Sequence, residues 1–353
     1  MIHKSIRLKM KKEKIKFEES YENIISVENL LEAWKEFQKG KKQKKDVQIF
    51  QMNLMNNIIL LHEELLNYTY NHGGYQAFKI NDPKPRDIHK ATVRDRLLHH
   101  AIYRKLYPFF DRTFISDSYS CRNEKGTHKA LKRFLYFSRI VSRNNTRTCW
   151  ILKGDIKKFF ASINQKVLKN ILAKNIGDKD ILQLLTKIIN SFNSIGKIDV
   201  GLPLGNLTSQ LLVNIYMNEF DQFVRHQLKI KYYIRYADDF VIFSENKKYL
   251  ESMVLTIHKF LEEELRLELH PDKIFIKTLS SGMDFLGYVN FFDYRILRTK
   301  TKNRIFKKMT KKKEDLKNNL ITVESFNQSL QSYLGVLKHC QGYKIVRKLP
   351  YEQ

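Results

Sequence analysis

Three aspartates stand where chemistry is possible. Asp155 lies near the end of the apolar run TCWILKGDI at 148–156, and Asp238 and Asp239 stand side by side in KYYIRYADDFVIFS at 231–244. Two adjacent carboxylates between apolar strands are costly unless positive charge compensates them. A divalent cation supplies that charge, and oxygen-only ligands suit Mg²⁺, which keeps water and substrate phosphate in its shell. Two such ions, ~3.5–4 Å apart, activate an attacking hydroxyl and stabilise a leaving oxygen. An Asp-Asp pair is also a common plain turn, so the surroundings of the acids carry the argument.

The elements that must position these acids read as follows. Residues 50–68 have apolar positions at helical spacing. NDPKPRD at 81–87 is a loop, because Pro83 and Pro85 restrict the backbone before them. A helical pattern runs through ATVRDRLLHHAIYRKLY and stops at Pro108, and another covers 127–140. Residues 148–156 form a strand, followed by a helical stretch to about 190. VGLPLGN at 200–206 leads to a helix capped by Thr208, with apolar positions 211, 212, 215, 216, 220 and 224 on one face. The segment 231–244 is a hairpin with both aspartates in its turn, 247–268 an amphipathic helix, and 273–278 and 284–290 short strands. From 295 onward the chain holds 15 basic and 4 acidic residues, and Phe326, Leu330, Leu334 and Leu337 suit a packed helix.

Composition bounds the class. The 353 residues carry 64 Lys and Arg against 37 Asp and Glu, a formal net charge of +27. With 23 Phe and 18 Tyr the chain is globular rather than a charged disordered tail. Its length suits two or three subdomains at roughly 100–200 residues each. A polyanion is the first partner to consider. Cys121, Cys149 and Cys340 form no CxxC pair, which disfavours a cysteine zinc site and a disulfide framework. No apolar run is long enough for a membrane span, and the basic N-terminus lacks the apolar stretch of a signal peptide. KGKKQKK at 39–45 is a solvated linker or an RNA-facing loop.

A series of motifs carries a resemblance. YADD at 236–239 resembles the catalytic hairpin of reverse transcriptases, and LKGDIKKFFASI at 152–163 their first palm motif. GLPLGNLTSQLLVNIYMNEFD at 201–221 is similar to their substrate-binding motif, and residues 94–131 to the fingers block of the group II intron-like branch. LELHPDKIFI at 267–276 resembles the palm lysine motif and FLGY at 285–288 the primer grip. Order and spacing match over about residues 50–340. Intron-like and retron enzymes carry glutamine before the motif glycine and end the motif in Ser-Pro. Here Leu204 precedes Gly205, and Ser209 is followed by Gln210. That departure resembles the reverse transcriptases of diversity-generating retroelements, which copy a template-repeat RNA with errors at adenines.

The resemblance implies roles residue by residue. Asp155 and Asp238 hold two Mg²⁺ ions, with Mn²⁺ as a substitute. Asp239 completes the acidic cluster, and Ile156 offers its backbone carbonyl to the nucleotide-side ion. Phe160 is the gate beneath the nucleotide sugar, or else a core aromatic of the FF pair. Arg122 holds the triphosphate, or is merely solvated. Lys273 sits near the leaving pyrophosphate as a proton donor, or is a surface lysine. Gly201 and Gly205 allow close backbone approach to the nucleotide, or mark only a turn. Leu204 relaxes nucleotide positioning where glutamine is usual, and Asn206 and Gln210 orient that loop or touch nucleotide. Arg94 and Arg96 lie along the template. Tyr236, Phe285, Leu286, Gly287 and Tyr288 meet template and primer, although FLGY would read much the same as a buried strand.

The implied fold is an α+β right hand: a basic N-terminal extension (1–50), a first part of the fingers (51–147), a ferredoxin-like palm with inserted fingers elements (148–290) and a helical thumb (291–353). The implied activity is RNA-directed DNA polymerisation from dNTPs, in a cytoplasmic, prokaryotic or phage-encoded setting with no membrane. The implied partners are a template-repeat RNA, the RNA–cDNA hybrid and a small, basic, oligomeric accessory variability protein. Two alternatives stay open: another group II-like, retron or defence-associated reverse transcriptase, and a non-catalytic RNA-binding or maturase-like protein.

Overall fold

The computed structural model describes residues 16–81 and 85–349 of the chain. In order, the first elements are α1 (Tyr21–Ile25), α2 (Val27–Phe37), α3 (Lys45–Met52), α4 (Leu54–Leu66), β1 (Tyr75–Ile80), β2 (Arg86–Ala91), α5 (Val93–Thr113) and α6 (Thr127–Val141). Then come β3 (Trp150–Asp155), α7 (Phe159–Ser162), α8 (Gln165–Asn175), α9 (Lys179–Asn190), α10 (Leu207–Gln222), β4 (Tyr233–Tyr236) and β5 (Asp239–Ser244). The last are α11 (Lys247–Glu263), β6 (Phe275–Thr278), β7 (Met283–Phe285), β8 (Tyr288–Asn290), β9 (Arg295–Leu297), α12 (Thr299–Lys317), α13 (Val323–Leu337) and α14 (Tyr343–Val346). This mixed α/β chain builds two compact units, each from three segments. The first takes residues up to Phe78, Asp87–Thr113 and Phe160–Tyr216; the second takes Lys79–Arg86, Phe114–Phe159 and everything from Met217. Among the described residues, no helix is long and apolar enough to cross a membrane.

The first unit is mainly helical. Ser20 and Ser26 cap α1 and α2 by accepting from the backbone N–H of Asn23 and Asn29. In α2, Leu30, Ala33, Trp34 and Phe37 repeat at helical spacing and are buried where α2 meets α5. Leu30 and Phe37 each contribute about 1.5–3 kcal/mol by such burial. Within residues 16–50 the buried side chains of α1, α2 and α3 therefore belong to this unit's core; the many charged residues between them masked an apolar stripe. Residues 1–15 of that expected extension lie outside the described residues.

Several expected boundaries move. The helix expected over 50–68 is divided at Asn53 between α3 and α4. Of the loop expected at 81–87, residues 82–84 lie outside the described residues, and from Arg86 the chain is already strand. Pro108 does not stop α5, which continues to Thr113. Proline removes one donor and crowds the carbonyl four residues back. Here Pro108 faces solvent while Leu106, Tyr107, Phe109 and Phe110 are buried around it, and that burial holds the helix across it. Thr208 is not a cap, because it lies inside α10 and is buried.

The second unit holds a four-stranded antiparallel sheet in the order β4-β5-β3-β6. One face presents Gly154 and Phe240, with Phe220 edge-on to Phe240 and Phe260 tilted against Phe220. The other presents Ile151, Ile234, Val241 and Phe243 to α6, through edge-on contacts of Phe134 and Phe137 with Phe243. α11 ends at Glu263, short of the expected 268, and Arg266 then turns the chain with φ 51°. The strand expected at 284–290 is two strands, β7 and β8, joined by Leu286 and Gly287, both at positive φ. β9 completes that three-stranded sheet, and α12–α14 follow.

Candidate active site

The sheet register brings the acids together. Asp155 at the end of β3 stands opposite Asp239 at the start of β5, and Tyr236 at the end of β4 stands opposite Asp239 from the other side. Directly opposed residues share a face, with Cβ atoms ~4.5–5.5 Å apart. Asp238 occupies the turn with Ala237, whose φ is 56°. Only Asp238 is therefore a turn residue; Asp239 already belongs to the strand. Two backbone bonds fix the loops around the acids: Ile156 N–H donates to Asp238 O at 3.2 Å, and His270 N–H donates to Asp155 O at 2.8 Å. Gly154 lets β3 and β5 lie this way, because a Cβ there would fall 2.3 Å from Phe240 Cζ.

Two lysines meet the carboxylates. Lys273, in a short turn before β6, donates to Asp155 Oδ1 at 2.6 Å. Lys153, almost fully buried, lies 3.3 Å from Asp239 Oδ1 and donates to Asp284 O at 2.9 Å. The Asp239 contact is ionic, and Asp239 Oδ1 is buried without a hydrogen bond. Burial pushes the Asp239 carboxyl up to about 6; Lys153 opposes this, while Asp155 and Asp238 add repulsion. Burial also raises Asp238, with Asp155 next in effect. Carboxylates held at such cost suit a cation, and this donor set contains only oxygen. Among the described residues no three His, Cys, Asp or Glu side chains are already arranged as a cage. Asp155 and Asp239 are turned towards the lysines instead.

The other expected site residues divide into two groups. In the first unit, Leu204 O accepts from His89 N–H at 2.9 Å, and Asn206 bonds to the backbone of His89 and Ala91. Asn206 thus orients its loop, and Gln210 N–H donates to its carbonyl at 3.4 Å. Gly201 and Gly205 have φ 105° and 112°, and a Cβ at either would strike Ser194 or Ile88. Leu202 N–H donates to Phe160 O, and Phe160 is half-buried while Phe159 fills the core. The core alternative for the FF pair therefore belongs to Phe159.

Arg94 and Arg96 are both engaged in ion pairs. Arg94 pairs with Glu64 at 2.6 Å, and Arg96 with Asp46 at 2.6 Å while covering the Phe37 ring. Both tie α5 to neighbouring helices. In the second unit, Arg122 Nη1 donates to Ile115 O and Ser118 O at 2.7 and 3.0 Å, closing its own loop. Phe285 is completely buried against Phe134, and Tyr288 is buried and donates to Val336 O. Both rings are therefore packed inward; the more accessible part of FLGY is its turn, where Leu286 and Gly287 are half-buried. Tyr236 accepts from the Thr127 hydroxyl at 3.2 Å.

Sequence reasoning missed Gly154, Lys153 and the buried pair Asp221–Arg235 behind the acidic turn. Each sits inside a quoted motif: Lys153 and Gly154 in LKGD, Arg235 two residues before Ala237, and Asp221 at the end of the 201–221 segment. The period-2 rule could have placed Lys153 on the face of Asp155.

Comparison with known proteins follows the same outline. A family profile described as reverse transcriptase (RNA-dependent DNA polymerase) matches residues 79–290, more than half of the chain. Protein YkfC of Escherichia coli (strain K12) is 28% identical over 287 residues, covering 68% of this chain and 72% of its own. The group II intron-encoded protein LtrA of Lactococcus lactis subsp. cremoris is 25% identical over 293 residues, covering 64% of this chain. The match spans 47% of LtrA, about half of that relative's length. A solved apo telomerase from Candida tropicalis, truncated from the C-terminal domain, aligns with TM-score 0.48 and 15% identity over 67% of this chain and 59% of its own.

Proposed function

The chain belongs to the reverse transcriptase (RNA-dependent DNA polymerase) family, and we propose that it is of the group II intron-like branch and copies a template-repeat RNA into error-prone cDNA. The observation that carries polymerisation is the opposed pair Asp155–Asp239 with Asp238 in the adjoining turn. Asp155, Asp238 and the Ile156 carbonyl would hold two Mg²⁺ ions, with Mn²⁺ able to substitute. Bound there, the ions supply Lewis acidity to the primer 3′-hydroxyl and to the leaving phosphate oxygen.

The chain's own residues position and neutralise. Lys273, already within reach of Asp155, is placed to meet the charge of the departing pyrophosphate and to return a proton to it. Lys153 holds Asp239 beside the pair without competing for both carboxylates. Phe160 stands as the sugar gate that favours dNTP over rNTP. The α12–α14 segment plays the thumb, the β4-β5-β3-β6 sheet the palm, and the first unit the fingers. Arg122 acts through the loop it closes. The partners are RNA, the RNA–cDNA hybrid and a small, basic, oligomeric accessory protein.

The finer reading rests on Leu204 before Gly205 and on Gln210 after Ser209. The similarity to LtrA supports a second reading, an intron-type enzyme with the same site and a different RNA. Primer extension on RNA with Mg²⁺, with Asp238→Ala as control, tests the chemistry. Synthesis abolished by that substitution, with RNA binding kept, is the expected result; no synthesis by the native chain with either metal, with or without the accessory protein, would refute it. Errors concentrated opposite template adenines support the retroelement reading, and errors spread evenly over the four bases favour the intron-type one.

A further inference from the structure

We propose that Arg235 is a positioning residue for nucleotidyl transfer, holding the Ala237–Asp238 turn from behind and coupling it to the loop closed by Arg122. The inference rests on the reading of Asp238 as a metal-holding carboxylate.

Arg235 and Asp221 are both completely buried. The guanidinium meets Asp221 through two bonds, Nε to Oδ1 at 2.7 Å and Nη2 to Oδ2 at 2.6 Å. Tyr233 OH donates to the same carboxylate at 2.8 Å. Such a fork could be replaced by apolar side chains without loss of stability, so the pair is poorly explained as a stabilising device. What apolar side chains could not supply are the remaining donors. Nη1 donates to Ala237 O at 3.0 Å, and Nη2 donates to Ser118 Oγ at 3.1 Å.

The first of these bonds lands on a strained place. Ala237 is a non-glycine residue in the left-handed region, with φ 56°. Its carbonyl is one peptide plane away from Asp238, whose own carbonyl is held by Ile156 N–H on the other side. The turn is thus gripped at two consecutive carbonyls, one by β4's arginine and one by the end of β3. Lysine cannot reproduce this, because it lacks the planar fork that satisfies Asp221 and still points a donor at the turn.

The second bond extends the grip. Arg235 N–H donates to Asp117 O at 3.0 Å, and Tyr119 N–H donates to Arg235 O at 3.0 Å, so residues 117–119 run beside β4. Ser118 is held twice, at its hydroxyl by Arg235 and at its carbonyl by Arg122. A continuous set of bonds therefore joins Arg122, Ser118, Arg235 and Ala237, ending beside Asp238.

The test uses the full-length chain. Arg235→Lys should lower kcat for single-nucleotide extension by about 10- to 100-fold at saturating dNTP, as expected for an ångström-scale misplacement. Template–primer Kd should stay within about twofold. A triple variant, Arg235→Met with Asp221→Leu and Tyr233→Phe, removes the buried charges and their polar partner together and separates position from stability. The same kcat loss at native melting temperature supports positioning; native kcat at native melting temperature overturns it. Ser118→Ala, which removes a single bond, should lower kcat several-fold, and an unchanged kcat there also counts against the coupling. Mn²⁺ titrated into the protein without nucleotide should bind more weakly to the Arg235 variants, a change that a remote packing defect would not produce. If Asp238→Ala still polymerises, the metal-ligand reading fails; if it is inactive while the Arg235 variants match the native chain, only the latch fails.

Discussion

Gly154→Ala should disable the active site from the side opposite the acids. A Cβ at this position would lie 2.3, 2.6 and 2.9 Å from Cζ, Cε1 and Cε2 of Phe240. Carbon atoms rest at ~3.5–4.0 Å, so ring and strand must separate by about 1.2–1.7 Å. The ring has little room to yield, because Phe240 is fully buried and packed against Phe220 and Tyr233. The separation therefore falls on the β3–β5 pairing, where Gly154 opposes Phe240 and the next opposed residues are Asp155 and Asp239. Overpacking of this kind costs about 1–3 kcal/mol. Misplacing reacting groups by ~1 Å costs ~10²-fold in rate. The expected result is a kcat about 10²-fold lower in single-nucleotide extension, with template–primer binding kept and the melting temperature lowered by only several degrees. Adding Phe240→Leu, which shortens the obstructing side chain, should recover part of the lost rate. Native kcat in Gly154→Ala alone would refute the reasoning.

Three further outcomes follow from particular residues. Phe160→Ala should raise rNTP incorporation relative to dNTP by about tenfold or more in single-nucleotide extension; unchanged sugar discrimination would count against the gate. Leu204→Gln should reduce misincorporation opposite adenine by several-fold, read by sequencing cDNA, and an unaltered spectrum would disconnect Leu204 from fidelity. The first unit should be acid-labile, because burial pushes His99 down to about 3 and His100 down to about 4 from the usual 6.5. Both imidazoles are favoured neutral in the folded chain, so the contribution of each is full above pH 6.5 and is lost as pH falls, towards 4 for His100 and towards 3 for His99, at about 1.4 kcal/mol per unit for each group. His99→Phe should flatten the fall in urea midpoint over that range, and an identical slope would show that His99 is not responsible.

The acids were legible because the motifs around them, from LKGDIKKFFASI to YADD, stand in a recognisable order; an Asp-Asp pair alone would have read as a plain turn. Asp155, Asp238 and Asp239 do come together, and Lys273 meets Asp155, a contact its place in LELHPDKIFI did not announce. What stayed hidden depends on partners distant in sequence. Nothing local announces that Lys153 will meet Asp239 and the Asp284 carbonyl, or that Asp221 will receive Arg235. Pro108 misled because local propensity was weighed without the buried aromatics around it. FLGY read as one strand because Leu286 gives no sign of adopting positive φ; only Gly287 hints at a turn.

The fate of the arginines also explains how a chain of net charge +27 presents itself to a polyanion. Guanidinium is weakly hydrated and planar, so it settles readily into internal pairs with carboxylates and onto ring faces. Arg94, Arg96, Arg133 and Arg235 all do so, with Glu64, Asp46, Asp117 and Asp221. Ammonium is strongly hydrated and stays outside unless, like Lys153, it has a carboxylate and a carbonyl to meet. On α12 only Ile305 and Met309 are buried, while Lys300, Lys307 and Lys311 are exposed at spacings of seven and four, which places them on one helical face. Point charges of that kind attract phosphate without reading bases. The charge that suggested a nucleic-acid partner and the arginines that seemed best suited to hold it therefore belong to different parts of the structure. Those four arginines brace the units, and the exposed lysines of α12 are the charges a polyanion would meet.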